Sequence, residues 1–229
     1  MYWKDEGYLL SKNNFDENSI IIEVFTLLHG KYTGIVYGGS SRKQKKNFQI
    51  GNKLSLNWKS KNENKTGYFN TELIKPITPL FFDDKKKSIS ILSATSLLKI
   101  LLPERQVNKK IYNLFDILLS KLFLRDWIKL YIYWELSLIK ELGFEINFFN
   151  KKVNLNNSKN LIEINDKLFE LPRLLSKDNL KIISNNEIKE ALLFNKNIIV
   201  ENFIIPNNLK LPLPRNILEK YYDDELRTN

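Results

Sequence analysis

Three sets of side chains have types and spacing that suggest chemistry: the bases of VYGGSSRKQKKNFQIGNKLSLNWKSKNENK (Val36–Lys65), the acids Asp83/Asp84 and Asp223/Asp224/Glu225, and the single histidine, His29. Clustered carboxylates can hold a magnesium ion for phosphodiester hydrolysis. Here they stand where exposed helix-terminal charge belongs. A catalytic histidine needs an orienting partner within hydrogen-bond reach. His29 stands in a predicted hairpin turn just before Gly30, with no evident carboxylate partner. GGSS lacks the Lys-Ser/Thr that completes a phosphate-binding loop. The chain has no cysteine, so disulfides, a thiolate nucleophile and a cysteine zinc site are excluded. Binding is expected, with no enzymatic activity and no cofactor.

The bases carry the strongest signal. Arg42 to Lys65 holds eight Lys or Arg side chains against Glu63 alone, a net +7, which leaves only +3 of the total +10 for the other 205 residues. Arg42, Lys43, Lys45 and Lys46 fall in a linker with turn residues and no apolar period, read as an exposed, mobile loop. In KLSLNWKSK, Leu54, Leu56 and Trp58 alternate with Lys53, Ser55, Asn57 and Lys59, so a strand there turns its lysines away from its core face. Lys61 and Lys65 continue the charge into the next turn. Such a patch attracts phosphates by counterion release, without regard to base sequence and with steep salt dependence. Aromatic neighbours add stacking worth roughly 1–3 kcal/mol per base in single-strand complexes, and Tyr37 and Phe48 flank the loop. The same lysines also suit a solvated surface, and charge alone does not separate a nucleic acid from an anionic membrane. No apolar run approaches the roughly 18 residues of a membrane span, and the first residues lack the order of a secretion signal. A soluble, cytoplasmic protein is expected.

The elements that position these residues change character along the chain. Seven of the eight glycines lie at or before Gly67 and all seven prolines at or after Pro76. The first part breaks into short β-branched or aromatic segments, Tyr2–Ser11, Ser19–Thr26, Lys31–Tyr37, Lys53–Ser60 and Thr66–Ile74. So many short strands in so few residues suit a small closed or partly open barrel of the OB type, with a tight hairpin at Gly30. Beyond KPITPLFFDD the period becomes helical. One helix spans Ser88–Leu102 and stops at Pro103; Ile111, Leu114, Phe115, Leu118 and Leu122 form the face of a second. Asp126 is placed to cap a third, with Trp127, Tyr131, Trp134 and Leu138 as core and Gly143 at its C-terminal cap. Phe148–Ile164 reads as a loop or small hairpin. Helix returns over Asn186–Ile204 and after Pro214. The expected division is an OB-fold domain over residues 1–78 and a helical domain over 79–229.

WKDEGYLLS (Trp3–Ser11), VFTLLHGKYTGIVYGGSSRK (Val24–Lys43), QIGN (Gln49–Asn52) and LNWKSK (Leu56–Lys61) resemble, in order and spacing, the N-terminal domain of the bacterial DNA repair protein family RecO. LLPERQ (Leu101–Gln106), YWELSLIKELGF (Tyr133–Phe144) and LPLPRNIL (Leu211–Leu218) resemble the helical part of that family. The resemblance implies an OB fold followed by a mainly helical domain, in a recombination mediator that binds single- and double-stranded DNA and anneals complementary strands. It also implies RecR and the C-terminal tail of single-stranded DNA-binding protein as partners, and assistance to RecA on coated strands. Its basic DNA-contacting surface falls here on Arg42, Lys43, Lys45, Lys46, Lys59 and Lys61, to which the charge run adds Lys65 and the loop aromatic Tyr37. Many members carry a cysteine zinc module where this chain has EINFFNKKVNLNNSKNLIEIN, within an insertion at about 146–170, so a metal-free hairpin or loop is expected, held by Phe148, Phe149, Leu161 and Ile162. A structural RNA-binding OB protein is the alternative, and a metal-dependent nuclease a distant third.

Overall fold

Alternating apolar and polar residues build five strands at the start of the chain. The computed structural model describes residues 1–62, 65–144, 151–154, 159–164, 167–176 and 183–223. Its first strands are β1 (Tyr2–Asn14), β2 (Ser19–Thr26), β3 (Gly30–Tyr37), β4 (Lys53–Lys59) and β5 (Gly67–Lys75), close to the expected segments, with β1 running on to Asn14. They pair in the order β1-β2-β3-β5-β4 and from β4 back to β1. Four of these ladders are antiparallel and long. The fifth, between β3 and β5, is parallel and only two residue pairs long, Gly34↔Gly67 and Ile35↔Tyr68. The result is the expected OB-type architecture, joined along one edge by a short seam.

That seam runs through glycines for a steric reason. A Cβ on Gly34 would lie 2.6 Å from the Phe69 ring, and one on Gly67 2.4 Å from the Trp58 indole. The ring closes over its own aromatic core, where Leu9, Ile22, Val24, Leu54, Leu56, Trp58 and Phe69 are buried. Trp58 is thus core, as its spacing predicts.

The linker after β3 differs from expectation. Its bases form one helical turn, α1 (Arg42–Lys45), which Ser41 caps by accepting from the Gln44 N–H. The apolar anchor is Phe48, 1% exposed and packed in the barrel core. Phe48 is therefore unavailable for base stacking. The buried Asn52 fixes the end of the linker, donating to the Asn47 carbonyl at 3.0 Å and accepting from the Ile77 N–H at 2.8 Å.

The chain divides into two compact units, Met1–Leu119 with Pro212–Arg215, and Ser120–Leu211 with Asn216–Asn229. The first unit keeps two helices beside the barrel, α2 (Lys85–Leu101) and α3 (Lys109–Ser120). Asp84 caps α2 by accepting from the Lys87 N–H at 3.0 Å. Tyr8, on the outer side of β1, holds α3: its hydroxyl donates to Asp116, and its ring meets Phe115 edge-on at 5.1 Å. Burial first, then the Asp116 carboxylate, pushes the Tyr8 phenol well above the ordinary tyrosine range. Burial and the Glu6 and Asp116 charges push Tyr112 the same way.

In the second unit α4 (Trp127–Glu141) buries Trp127, Tyr131 and Trp134, as expected. Asp126 precedes it, but its side chain makes no cap hydrogen bond. At the other end Gly143 has φ +94° and its N–H reaches the Lys140 carbonyl at 3.0 Å, so a glycine suits this C-terminal cap. Three short strands follow, β6 (Lys151–Asn154), β7 (Lys159–Ile164) and β8 (Lys167–Glu170), as an antiparallel sheet in place of the expected hairpin or loop. Ile162 and Ile164 are buried and Phe169 meets Phe194 edge-on at 6.3 Å; Phe148 and Phe149 lie outside the described residues. After α5 (Arg173–Ser176), α6 (Asn185–Ile199) starts on a capping box, Ser184 with Glu187, and widens into a π-helical segment over Val200–Ile204. Asn195 of α6 donates to the Ile132 carbonyl at 3.0 Å and to Glu135 at 3.2 Å, and Tyr131 donates to Glu135 at 2.9 Å. That network satisfies a fully buried carboxylate. The last helix among the described residues is α7 (Leu213–Asp223), whose Glu219 pairs with Lys196 at 3.0 Å.

Two outcomes are expected. Gly67→Ala forces a methyl into Trp58 and lowers unfolding free energy by roughly 1–3 kcal/mol in urea titration, the range for overpacking; an unchanged midpoint would mean that the seam is not tight. Because the folded phenols of Tyr8 and Tyr112 titrate above their unfolded value near 10, their contribution is intact below that pH. It is lost as pH rises past the unfolded value toward the folded ones. Urea midpoints should stay level from about pH 8 to 9 and fall as pH rises through about 10 toward 11, and less steeply once Tyr8→Phe and Tyr112→Phe are combined.

Candidate nucleic-acid interface

Arg42, Lys43, Lys45 and Lys46 are all exposed on and just after α1, with no acidic residue in that turn. Lys59 ends β4, and Lys61 and Lys65 lie exposed in the turn to β5. Ser60 shapes this turn by donating to the carbonyls of Asn62 at 2.7 Å and Lys65 at 3.1 Å. Tyr37, the last residue of β3, is 67% exposed and its ring lies 6.0 Å from that of Tyr68. It stands five residues before Arg42 in sequence and across the short seam from the β4–β5 face.

Strand register assembles a face that the charge run does not show. Tyr2 of β1 pairs with Lys59 of β4, which pairs with Tyr68 of β5; one step along, Lys4 pairs with Asn57 and Asn57 with Asn70. These six side chains line a shallow groove of about 240 Å³. The Lys59 ammonium lies 5.5 Å and the Lys4 ammonium 6.0 Å from the centre of the Tyr2 ring. Tyr2, Lys4, Tyr68 and Asn70 are absent from the sequence reading. Alternation in MYWKDEG and GYFN puts them opposite Trp3 and Phe69, but only register makes them neighbours.

Not every base of the run is available. Lys53 reaches Glu6 at 2.7 Å and Asp116 at 3.4 Å. Burial alone would lower its pKa; the hydrogen bond to Glu6 and the Asp116 charge outweigh that and raise it. Beyond α1, Lys45 and Lys12 line a second cavity of about 460 Å³, together with Asp16 and Glu17. Burial, then the nearness of Lys45, lowers the pKa of Lys12.

Residues 1–77 match the family described as Recombination protein O N terminal, and residues 83–226 that described as Recombination protein O C terminal. The chain belongs to the RecO family. Among curated relatives, the DNA repair protein RecO of Cereibacter sphaeroides is 36% identical over 147 residues, 64% of this chain and 61% of the relative. That of Roseobacter denitrificans is 34% identical over 147 residues with the same coverage, and that of Ehrlichia chaffeensis 33% over 169 residues, 73% of this chain and 68% of the relative. The match thus spans just over three fifths of the first two relatives' length.

Three of the residues weighed for catalysis in this RecO-family chain, Asp84, Asp223 and His29, have other partners, and Asp83 is exposed. Asp84 caps α2 and pairs with Lys87 at 3.2 Å, and Asp223 pairs with Lys189; Asp224 and Glu225 lie outside the described residues. His29 does have a carboxylate partner, contrary to the sequence reading. Its Nδ1 lies 2.8 Å from Asp5, 24 residues earlier and adjacent only through the fold. The ring stacks on Trp3 at 4.2 Å, and the nearly buried Asp5 also accepts from the Leu28 N–H at 2.8 Å. These contacts pin the β2–β3 hairpin to β1. No helix among the described residues is long and apolar enough to cross a membrane.

Because Lys53 is committed to Glu6 and Asp116, Lys53→Gln should lower stability by roughly 1–2 kcal/mol, the scale of charge-assisted hydrogen bonds. Its affinity for a DNA oligonucleotide should stay within about twofold of wild type. Binding that falls as far as in Lys59→Gln would return Lys53 to the interface.

Proposed function

We propose that this chain is a DNA repair and recombination mediator that works by binding, without enzymatic chemistry. The observation that carries the reading is the set of exposed bases Arg42, Lys43, Lys45, Lys46, Lys59, Lys61 and Lys65 beside the exposed Tyr37, on the barrel of a chain whose relatives are named DNA repair proteins. Phosphates of single- or double-stranded DNA displace counterions from such a surface. By neutralising the repulsion between two strands, it lets complementary strands meet and anneal. In this reading the helical unit contacts RecR and the C-terminal tail of single-stranded DNA-binding protein, and the complex assists RecA on coated strands. The caps and ion pairs that occupy Asp84, Asp223 and His29 favour binding over hydrolysis.

An RNA-binding role shares the barrel and the charge. The test is annealing of two complementary labelled oligonucleotides, bare and coated with single-stranded DNA-binding protein. It compares wild type with the fourfold charge reversal of Arg42, Lys43, Lys45 and Lys46 to Glu. Wild type should accelerate both reactions. The variant should lose the acceleration, and its slope of log affinity against log salt should flatten by roughly 0.7 for each single-strand phosphate contact removed. DNA binding without acceleration would favour the RNA reading, and an unchanged salt slope would remove α1 from the site.

A further inference from the structure

We infer that the outer face of β1, β4 and β5 is a stacking platform for the unpaired bases of single-stranded DNA. Tyr2 and Tyr68 take base faces, and Lys59 and Lys4 hold the phosphates between them. The inference rests on the DNA-binding reading above and adds to it a separate site that tells single strands from duplex.

Tyr2 and Tyr68 are 52% and 43% exposed on a face where a barrel ordinarily shows polar side chains. They flank Lys59, one strand to either side, so register sets an aromatic-cation-aromatic row. With strands 4.7–4.9 Å apart, the backbones that carry the two tyrosines lie about 10 Å from each other, with that of Lys59 between them. Tyr37 extends the row around the seam, 6.0 Å from Tyr68. The adjoining row, Lys4, Asn57 and Asn70, supplies a second cation and two amides suited to base edges.

This chemistry selects the occupant. A base offers a π-face to each tyrosine and its phosphate an anion to each lysine. None of the six groove residues is aliphatic or acidic, so an apolar or basic peptide finds little to bury or pair with. Acids begin one row further on, at Glu6 and Glu72. In a duplex the base faces are already stacked on each other, so only the lysines of this face can engage it. The lysines near the Tyr2 ring are in weak, exposed contact and are free to move to phosphates as a base stacks.

The experiment measures binding of oligothymidylate, of an abasic strand of equal length and of a duplex to the full chain carrying Tyr2→Ala with Tyr68→Ala, and Tyr2→Phe with Tyr68→Phe. The alanine pair should lose roughly 10- to 100-fold in affinity for oligothymidylate, with an unchanged salt slope. Its affinity for the abasic strand and the duplex should stay within about threefold of wild type, and the phenylalanine pair should match wild type throughout. Photo-crosslinking of a bromodeoxyuridine-substituted strand to wild type, mapped by mass spectrometry, should label Tyr2 or Tyr68 and needs no variant to fold. Equal losses on all three probes, no loss on oligothymidylate, or crosslinks confined to other residues would overturn the platform. Tighter binding of oligouridylate through the same tyrosines would overturn its assignment to DNA. Wild type that binds no single strand at all would instead sink the DNA-binding reading. Loss on α1 charge reversal, with the tyrosine pairs indifferent, would leave that reading standing and remove the platform alone.

Discussion

Ring closure at the β3–β5 seam is the constraint on which the barrel depends. Two residue pairs join strands that otherwise stay apart, and a glycine on each side lets backbone lie directly on the Phe69 and Trp58 rings. A side chain there would push the edge open and expose a row of unpaired backbone groups, costly and prone to association. The same closure carries Tyr37 to Tyr68, linking the end of β3 to the face built by β1, β4 and β5. Core packing and the candidate interface thus share one geometric cause.

Electrostatics then sorts lysines that look alike in sequence. Lys53 and Lys59 lie on the same side of the same strand, yet Lys53 meets Glu6 and Asp116 while Lys59 lies near a tyrosine ring. The difference comes from what packs alongside: α3 brings Asp116 to one end of β4, and the N-terminal residues of β1 bring Tyr2 to the other. A cation already paired in a half-buried site gains little from a phosphate, whereas an exposed one gains counterion release. The second unit uses polar chemistry differently. Its buried Glu135 is satisfied by Tyr131 and Asn195, an arrangement that fixes α6 on α4.

The amino-acid order alone sets the strands, the core parity that buries Trp58, and the helical stripe of Trp127, Tyr131 and Trp134. Those follow from local periodicity, which needs no knowledge of neighbours. It also determined the concentration of charge between Arg42 and Lys65 and the kinship with the RecO family. The fold settled which residues share a surface. It turned the expected loop into a capped helical turn, buried Phe48, and set the region after residue 150 as a three-stranded sheet. It paired His29 with an aspartate from another strand and brought Tyr2 and Tyr68 to either side of Lys59. The physical reason is common to all of these: periodicity fixes which way a side chain points, but strand register and packing fix what it points at, and those contacts join residues far apart in the chain.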